Sequence, residues 1–351
     1  MTREELVQNI RDGEVISKVD LSGADLSGAD LSGGVFEEVV FNGANLAGAV
    51  LRTSIFSAPD FSGANLAGAD LRSAVLHEAK FPGADLRGAR MIEAKLMEAD
   101  LSGADLSEAD LTKAALIEAN LEEASLANAI LECTVMQKAR LREADLSGAN
   151  LTQTILIEAE VQGAVLTGAT LHLAMLLDTD LSRTDLRDMR LTGVQFRGAD
   201  LTEANLAGAD LTQASFVGAD LTCAVLDGVR AQYALFSEAT LTAASLQGAF
   251  LVQTSFGEAD LMGADLLGSD LQSSVLEKAV CTGARFAGAD LTWCDLSHAE
   301  LSGADLRGAT LTRTKLHRVT EADTLWDRGR KAALGTDKER AEAEDWVASE
   351  T

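Results

Sequence analysis

The chain has 351 residues, a formal net charge of −26, 47% hydrophobic residues and 4% aromatic residues. Acidity on this scale repels nucleic acid and points to protein partners with basic surfaces, while the hydrophobic fraction is too high for a disordered polyanion. No stretch approaches the roughly 18 consecutive apolar residues of a membrane span. The opening MTREELVQNIRDGEV lacks the apolar core of a secretory signal, and the four cysteines show no CxxC spacing, so a reducing, cytoplasmic compartment is expected.

The first element is a short helix. Thr2 and Glu5 form a capping-box pattern, which predicts a helix from about Arg3 to Arg11, stopped near Gly13. Leu6, Val7 and Ile10 would face whatever follows. Residues 1–18 are therefore an N-terminal helical cap.

From Leu21 a period of five takes over. Leu26, Leu31, Phe36, Phe41 and Leu46 follow at five-residue steps, and the walk reaches Leu316 without insertion or deletion. That makes about 60 consecutive pentapeptides in one register. Two residues before each large residue the chain is small, usually Ala, as at Ala24, Ala29 and Ala44. Asp or Asn stands between them, as at Asp25 and Asn45. A polar residue and then, frequently, Gly come after. Neither a helix nor an ordinary strand has this period. One large and one small apolar residue per five suggests one side of a square, with four sides making a twenty-residue coil. The two residues after Leu then turn the corner. Pro82-Gly83 fits the central pair of a type II turn, whose second residue needs a positive φ.

Residues twenty apart should stack in columns. Phe196, Phe216, Phe236 and Phe256 share one, as do Phe36 and Phe56, and Phe41, Phe61 and Phe81 form another. Ala231 stands where Leu belongs, so the coil there either repacks around Phe236 or bulges. In three of the four outward columns the residue before the large one is mostly polar. The fourth contains Val35, Ile55, Val75, Val135, Ile155, Met175, Leu235 and Val275, so that about eight of its fifteen members are large and apolar. Two residues on, the same face carries Met97, Ile117, Ile157, Leu177 and Val217. The next column is acidic, with Glu78, Glu98, Glu118, Glu158 and Asp178. Contiguous exposed apolar residues mark an interface more often than scattered ones. Val, Ile and Met on a flat β face also have a purely conformational explanation. The stripe, strongest from Met97 to Leu177, is the candidate protein-binding surface.

After residue 318 the repeat gives way to a C-terminal extension, 319–351. Thr320 and Glu321 open a helical pattern with Leu325, Trp326 and Leu334 on one face and Gly335 as its stop. A second helix from Thr336 or Asp337 would reach Trp346. These four apolar residues are expected to pack or to join two copies.

No catalytic motif appears. His77, His172, His298 and His317 are scattered, the Gly spacing follows the repeat, and there is no HExxH, phosphate loop or metal-ligand cluster. Cys281 and Cys294 fall on inward positions. A side-chain-filled prism also offers no pocket for chemistry, so no cofactor, metal or enzymatic activity is expected.

The A(D/N)LxG pattern over roughly 19–318 resembles the pentapeptide-repeat family. The resemblance implies an all-β solenoid, a right-handed quadrilateral β-helix of about 15 coils at about 4.8 Å each, with helical caps at both ends. It also implies partners. Members that protect DNA gyrase and topoisomerase IV mimic DNA, which would make a type II topoisomerase the partner. The opening TREEL…DLSGADLSGADLSG is similar to segments associated with type VI secretion, which would make it a secretion component. C-terminal extensions in the family often mediate homodimers. The charge argument favours the second: about −0.3 per Å of prism against about −0.6 per Å for B-DNA. The expectation is a protein-binding scaffold with no direct nucleic-acid or membrane contact, the alternatives being a DNA mimic and a structural or effector role.

Overall fold

Twenty residues separate neighbouring backbone segments along the repeat. In the computed structural model, which describes residues 1–346, β1 (Val15–Ser17), β2 (Val35–Glu37) and β3 (Ile55–Ser57) pair in parallel in that order, with Val15 opposite Val35 and Val35 opposite Ile55. Elsewhere the pairing narrows to single parallel bridges at the same spacing, such as Asp20 with Val40, Asp25 with Asn45 and Asp30 with Val50. Each turn of twenty residues thus carries four bridge columns. The Asn45 N–H donates to the Ala24 carbonyl at 2.9 Å, and the Leu26 N–H donates to the Asn45 carbonyl at 2.7 Å. This two-bond unit repeats along the columns and satisfies the backbone without long strands.

Strands stay short because a corner arrives every five residues. The corner's second residue is left-handed throughout: φ is +62° at Gly83, after Pro82, but also +58° at Glu98 and +57° at Glu118. A Cβ built on Gly83 would meet nothing within 4 Å. Glycine is therefore favoured there by backbone conformation alone, not by lack of room.

The chain divides into two compact units, Met1–Asp180 and from Leu181 onward. In the N-terminal unit α1 (Arg3–Arg11) carries the Thr2–Glu5 capping box and buries Leu6. The core is a filled stack of Leu and Phe. Phe36 and Phe56 stack at 4.6 Å between ring centroids, Phe41 and Phe61 at 4.7 Å, and Phe61 and Phe81 at 4.9 Å. In the C-terminal unit Phe196, Phe216, Phe236 and Phe256 stack at 4.9, 4.7 and 5.0 Å. Ala231 is fully buried, and its turn keeps register, with its N–H on the Phe250 carbonyl at 2.8 Å. No bulge forms there.

The end of the C-terminal unit departs from the helical pattern read in its sequence. Thr320 bridges Glu300, Leu325 bridges Asp305 and Leu334 bridges Lys315, with only a short 3-10 helix at Arg328–Ala332 between them. Backbone groups on the last turn otherwise left open are paired this way, which outweighs the local helical periodicity. α2 (Lys338–Glu344) then follows, N-capped by Asp337. Leu325, Leu334 and Trp346 are exposed, Trp346 by 73%, so of the two expected roles these three do not fill that of packing within the chain. Trp326 is half-buried, with the Arg330 guanidinium 5.1 Å from its ring centroid. The last five residues, which end the expected C-terminal segment, lie outside the described residues.

Candidate functional site

The apolar residues singled out in the sequence are rungs of one bridge column. In the N-terminal unit Val35, Ile55, Val75, Lys95, Ala115, Val135, Ile155 and Met175 follow one another, each bridged to the next. The backbone behind them is rigid. The Val135 N–H donates to Ala114 O at 3.0 Å, Ile155 N–H to Thr134 O at 2.9 Å and Met175 N–H to Thr154 O at 2.9 Å. Thr134 and Thr154 are fully buried directly behind the face, and their hydroxyls donate to the carbonyls of Leu111 at 2.8 Å and Leu131 at 2.7 Å. The sequence reading missed these buried hydroxyls. Their signal was Thr at the small inward position, twenty residues apart.

Beside this column stand Met97, Ile117, Gln137, Ile157 and Leu177. All are half-buried, as are Val35, Val75, Val135, Ile155 and Met175, and Ile55 is 49% exposed. From Ala115 to Leu177 the two columns form an apolar surface interrupted by Gln137. The C-terminal unit has no counterpart. Leu235, 44% exposed, bridges Ser215 and Ser255, and Val217 stands between Arg197 and Ser237 in sequence register. These two are isolated and do not extend a patch.

The acidic residues fall into two groups with different jobs. The column aspartates fold back on their own turn: Asp20 accepts the Ser22 N–H at 2.9 Å, Asp100 that of Ser102 at 3.1 Å and Asp200 that of Thr202 at 2.9 Å. Asn45 and Asn65 accept in the same way without a charge. Several aspartates also hold an arginine two residues on. Arg87 grips Asp85 through Nε at 2.8 Å and Nη2 at 2.6 Å, and Arg307 grips Asp305 likewise. The Arg307 contact holds the Asp305 carboxyl down at about 2. Glu78, Glu98, Glu118, Glu158 and Asp178 are different. They sit at left-handed corners beside the apolar face, and all are exposed. Glu158 lies 3.7 Å from Lys138. Among the described residues the other four have no ion-pair partner.

Two further sites bear on chemistry. Burial pushes the Cys281 and Cys294 thiols up to about 12, which leaves them unreactive. Cys294 Sγ donates to the Leu271 carbonyl at 2.8 Å in the place a hydroxyl occupies elsewhere. The second is a three-residue group absent from the sequence reading: His298, His317 and Glu344 bring ligand-type atoms within 4.8 Å of one another. Glu344 Oε1 lies 3.2 Å from His298 Nε2, and Oε2 lies 3.0 Å from His317 Nε2. The hydrogen bonding argues against a metal centre. His317 Nδ1 accepts the Asp337 N–H at 3.1 Å, so the ring's proton sits on Nε2, the atom a metal would need. Arg340 Nε donates to Glu344 at 2.7 Å, and Arg318 Nε lies 3.4 Å away. Two guanidiniums on one carboxylate already supply the positive charge. The group fastens α2 to the last turns. Only sequence-distant Glu344 completes it, so spacing along the chain gave no sign of it.

Among the described residues no helix is long and apolar enough to cross a membrane. A cleft of about 540 Å³ lies where α1 meets Gly28–Asp30 and is lined by Arg3, Glu4, Gln8 and Arg11 among others.

The repeat decides the family. The pattern described as pentapeptide repeats matches successive segments from 20–57 through 274–313. The chain belongs to the pentapeptide-repeat family. The fold of that family, a right-handed quadrilateral β-helix, agrees with the four bridge columns in each unit. No curated protein matches the chain. Among solved structures it is similar to HetL, a pentapeptide repeat protein involved in heterocyst differentiation regulation in the cyanobacterium Nostoc sp. strain PCC 7120. That match has 28% identity, covers 87% of this chain and 96% of HetL, and has a TM-score of 0.26. It is similar to QnrB1, a plasmid-mediated fluoroquinolone resistance protein, at 17% identity over 67% of this chain and 89% of QnrB1, TM-score 0.26. Rfr23 from the cyanobacterium Cyanothece 51142 matches at 21% identity over 44% of this chain and 91% of its own, TM-score 0.12. Superpositions this loose carry no partner across.

Proposed function

We propose that this pentapeptide-repeat protein is a non-catalytic scaffold that binds another protein through the apolar face of its N-terminal unit. The observation that carries the reading is the clustering of Val135, Ile155, Met175, Ile117, Ile157 and Leu177 on two neighbouring columns where the repeat otherwise places polar residues. Family membership supports the absence of catalysis, since pentapeptide-repeat proteins are in general structural or binding proteins. The test is a pull-down with wild type and with Ile117, Ile155, Ile157 and Leu177 all changed to Ala. The variant should lose the partner while a Leu235→Ala control keeps it. Equal recovery by all three would sink the proposal. Within this class, an accessory role in type VI secretion rests on the opening segment alone, and secretion genes beside the coding sequence would support it.

A second reading, mimicry of duplex DNA toward a type II topoisomerase, is supported by the net charge of −26. Against it, many column aspartates are engaged by their own turns or by arginine, and asparagine fills the same place. Inhibition of gyrase supercoiling at micromolar protein, relieved by added DNA, would favour mimicry.

A further inference from the structure

We infer that the occupant of this face is an amphipathic α-helix with one basic flank, lying along the ladder from Glu78 to Asp178. The inference rests on the reading of the face as a docking surface and adds the partner's chemistry.

The first argument is charge. One border of the face carries Glu78, Glu98, Glu118, Glu158 and Asp178, all exposed. Lys138, in the same row, already pairs with Glu158, which leaves Glu78, Glu98, Glu118 and Asp178 to seek cations from outside. The opposite border runs Glu93, Lys113, Cys133, Gln153 and Leu173 and has no net charge. A partner that complements both borders is apolar in the middle, basic on one side only and neutral on the other. A second copy of this face would bring a second acidic row, Glu78, Glu98, Glu118, Glu158 and Asp178, against only Lys95, Lys113 and Lys138, so two copies meet with like net charge and self-association is disfavoured. An anionic membrane surface is disfavoured on the same ground.

The second argument is spacing. Stacked phenylalanines in this unit place successive rungs 4.6 to 4.9 Å apart. A helix advances about 5.4 Å per turn, so one turn falls opposite one rung and drifts by only about 0.6 Å each time. Across the four intervals from Met97 to Leu177 the slip stays near 2.4 Å, about half a rung. An extended chain laid in the same direction advances about 6.7 Å per side-chain pair and leaves register after two rungs. A helix of about 16 residues spans the row from Glu78 to Asp178. It would place an apolar residue against each rung and a Lys or Arg near each free carboxylate.

The test uses three synthetic 16-residue peptides with the full-length protein. One has Leu at i, i+4, i+7 and i+11 with Lys along one flank, one has Glu in place of Lys, and one has the first composition scrambled. Binding is read by fluorescence anisotropy at 50 mM and 500 mM salt. The Lys peptide should bind wild type and weaken with salt, while the other two should not bind. Glu98→Lys with Glu118→Lys should weaken the Lys peptide by about tenfold or more at low salt and admit the Glu peptide. Lysine suits these corners, because Lys113 and Lys138 already hold φ of +58°, so the charge variant keeps its fold, and circular dichroism verifies that. Binding lost in the Ala variant but untouched by charge reversal overturns the basic flank and leaves the docking surface standing. Partner capture retained by the Ala variant overturns the docking surface itself. Concentration-dependent dimerisation abolished by the Ala variant would replace the helix with a second copy.

Discussion

His317 accepts the backbone N–H of Asp337 at Nδ1, 3.1 Å away, and so presents a protonated Nε2 to Glu344. Because Asp337 is the N-cap of α2, one imidazole grips both ends of that helix. Changing Glu344 to Gln or His317 to Ala should therefore speed amide exchange across Lys338–Glu344 while leaving the turns before residue 300 unchanged. The same arrangement predicts that zinc or nickel at stoichiometric concentration gives no rise in melting temperature. A metal-dependent rise lost in both variants would mean the His317 ring gives up Asp337 to bind metal.

Acid should release this latch from one direction only. The His317 hydrogen bond, followed by those of Arg340 and His298, holds the Glu344 carboxyl down at about 2. Asp305 is held at about 2 by Arg307. A carboxyl whose folded value lies below its free value, about 4, contributes its full stability above that value and loses it as pH falls through the folded one. Melting temperature should be flat from about pH 5 to 8 and decline between about 4.5 and 2. Relief of repulsion in a chain of net charge −26 works the other way, so the measurement belongs at about 0.15 M salt, where distant charges are screened. A melting temperature that climbs on acidification to pH 3 would show that repulsion dominates.

Thr154 tests the buried hydroxyls behind the apolar face. Its hydroxyl donates to Leu131 O at 2.7 Å with no exposure to solvent. Thr154→Val keeps the shape and removes the donor, at a cost of about 1–3 kcal/mol. Thr154→Ser should recover most of it. Urea denaturation of the three proteins decides the matter, and a Val variant as stable as wild type would mean the hydroxyl is dispensable.

What could be read in the sequence followed from the repeat, and what could not came from contacts the repeat does not encode. The phenylalanine columns were visible because a twenty-residue register makes Phe216 and Phe236 neighbours whatever else happens. The apolar column was visible by the same arithmetic. The turn at Thr320–Leu334 was misread as helix, because apolar spacing at 325 and 334 is common to both and only the open edge beneath decides between them. The Glu344 cluster joins residues 27 and 46 positions apart through a helix lying over the turns. No period in the chain relates those positions.

The corners set stability against binding at Glu98 and Glu118. Both hold φ near +58°, a conformation that costs a non-glycine residue about 1–2 kcal/mol, and neighbouring corners with glycine, such as Gly103, have open space around the added Cβ position. Glu98→Gly and Glu118→Gly should each stabilise the N-terminal unit by about 0.5–1 kcal/mol, once the greater freedom of glycine in the unfolded chain is subtracted. The same changes remove two of the four unpaired carboxylates along the apolar face, so the double variant should melt higher and bind the Lys-flanked peptide less tightly. A neutral residue that needs the same strained backbone, Glu118→Gln, separates the two effects: it should lose binding without gaining stability. If the glycine variant bound as well as wild type, the corner glutamates would have no role in recognition, and their strain would be without a compensating gain.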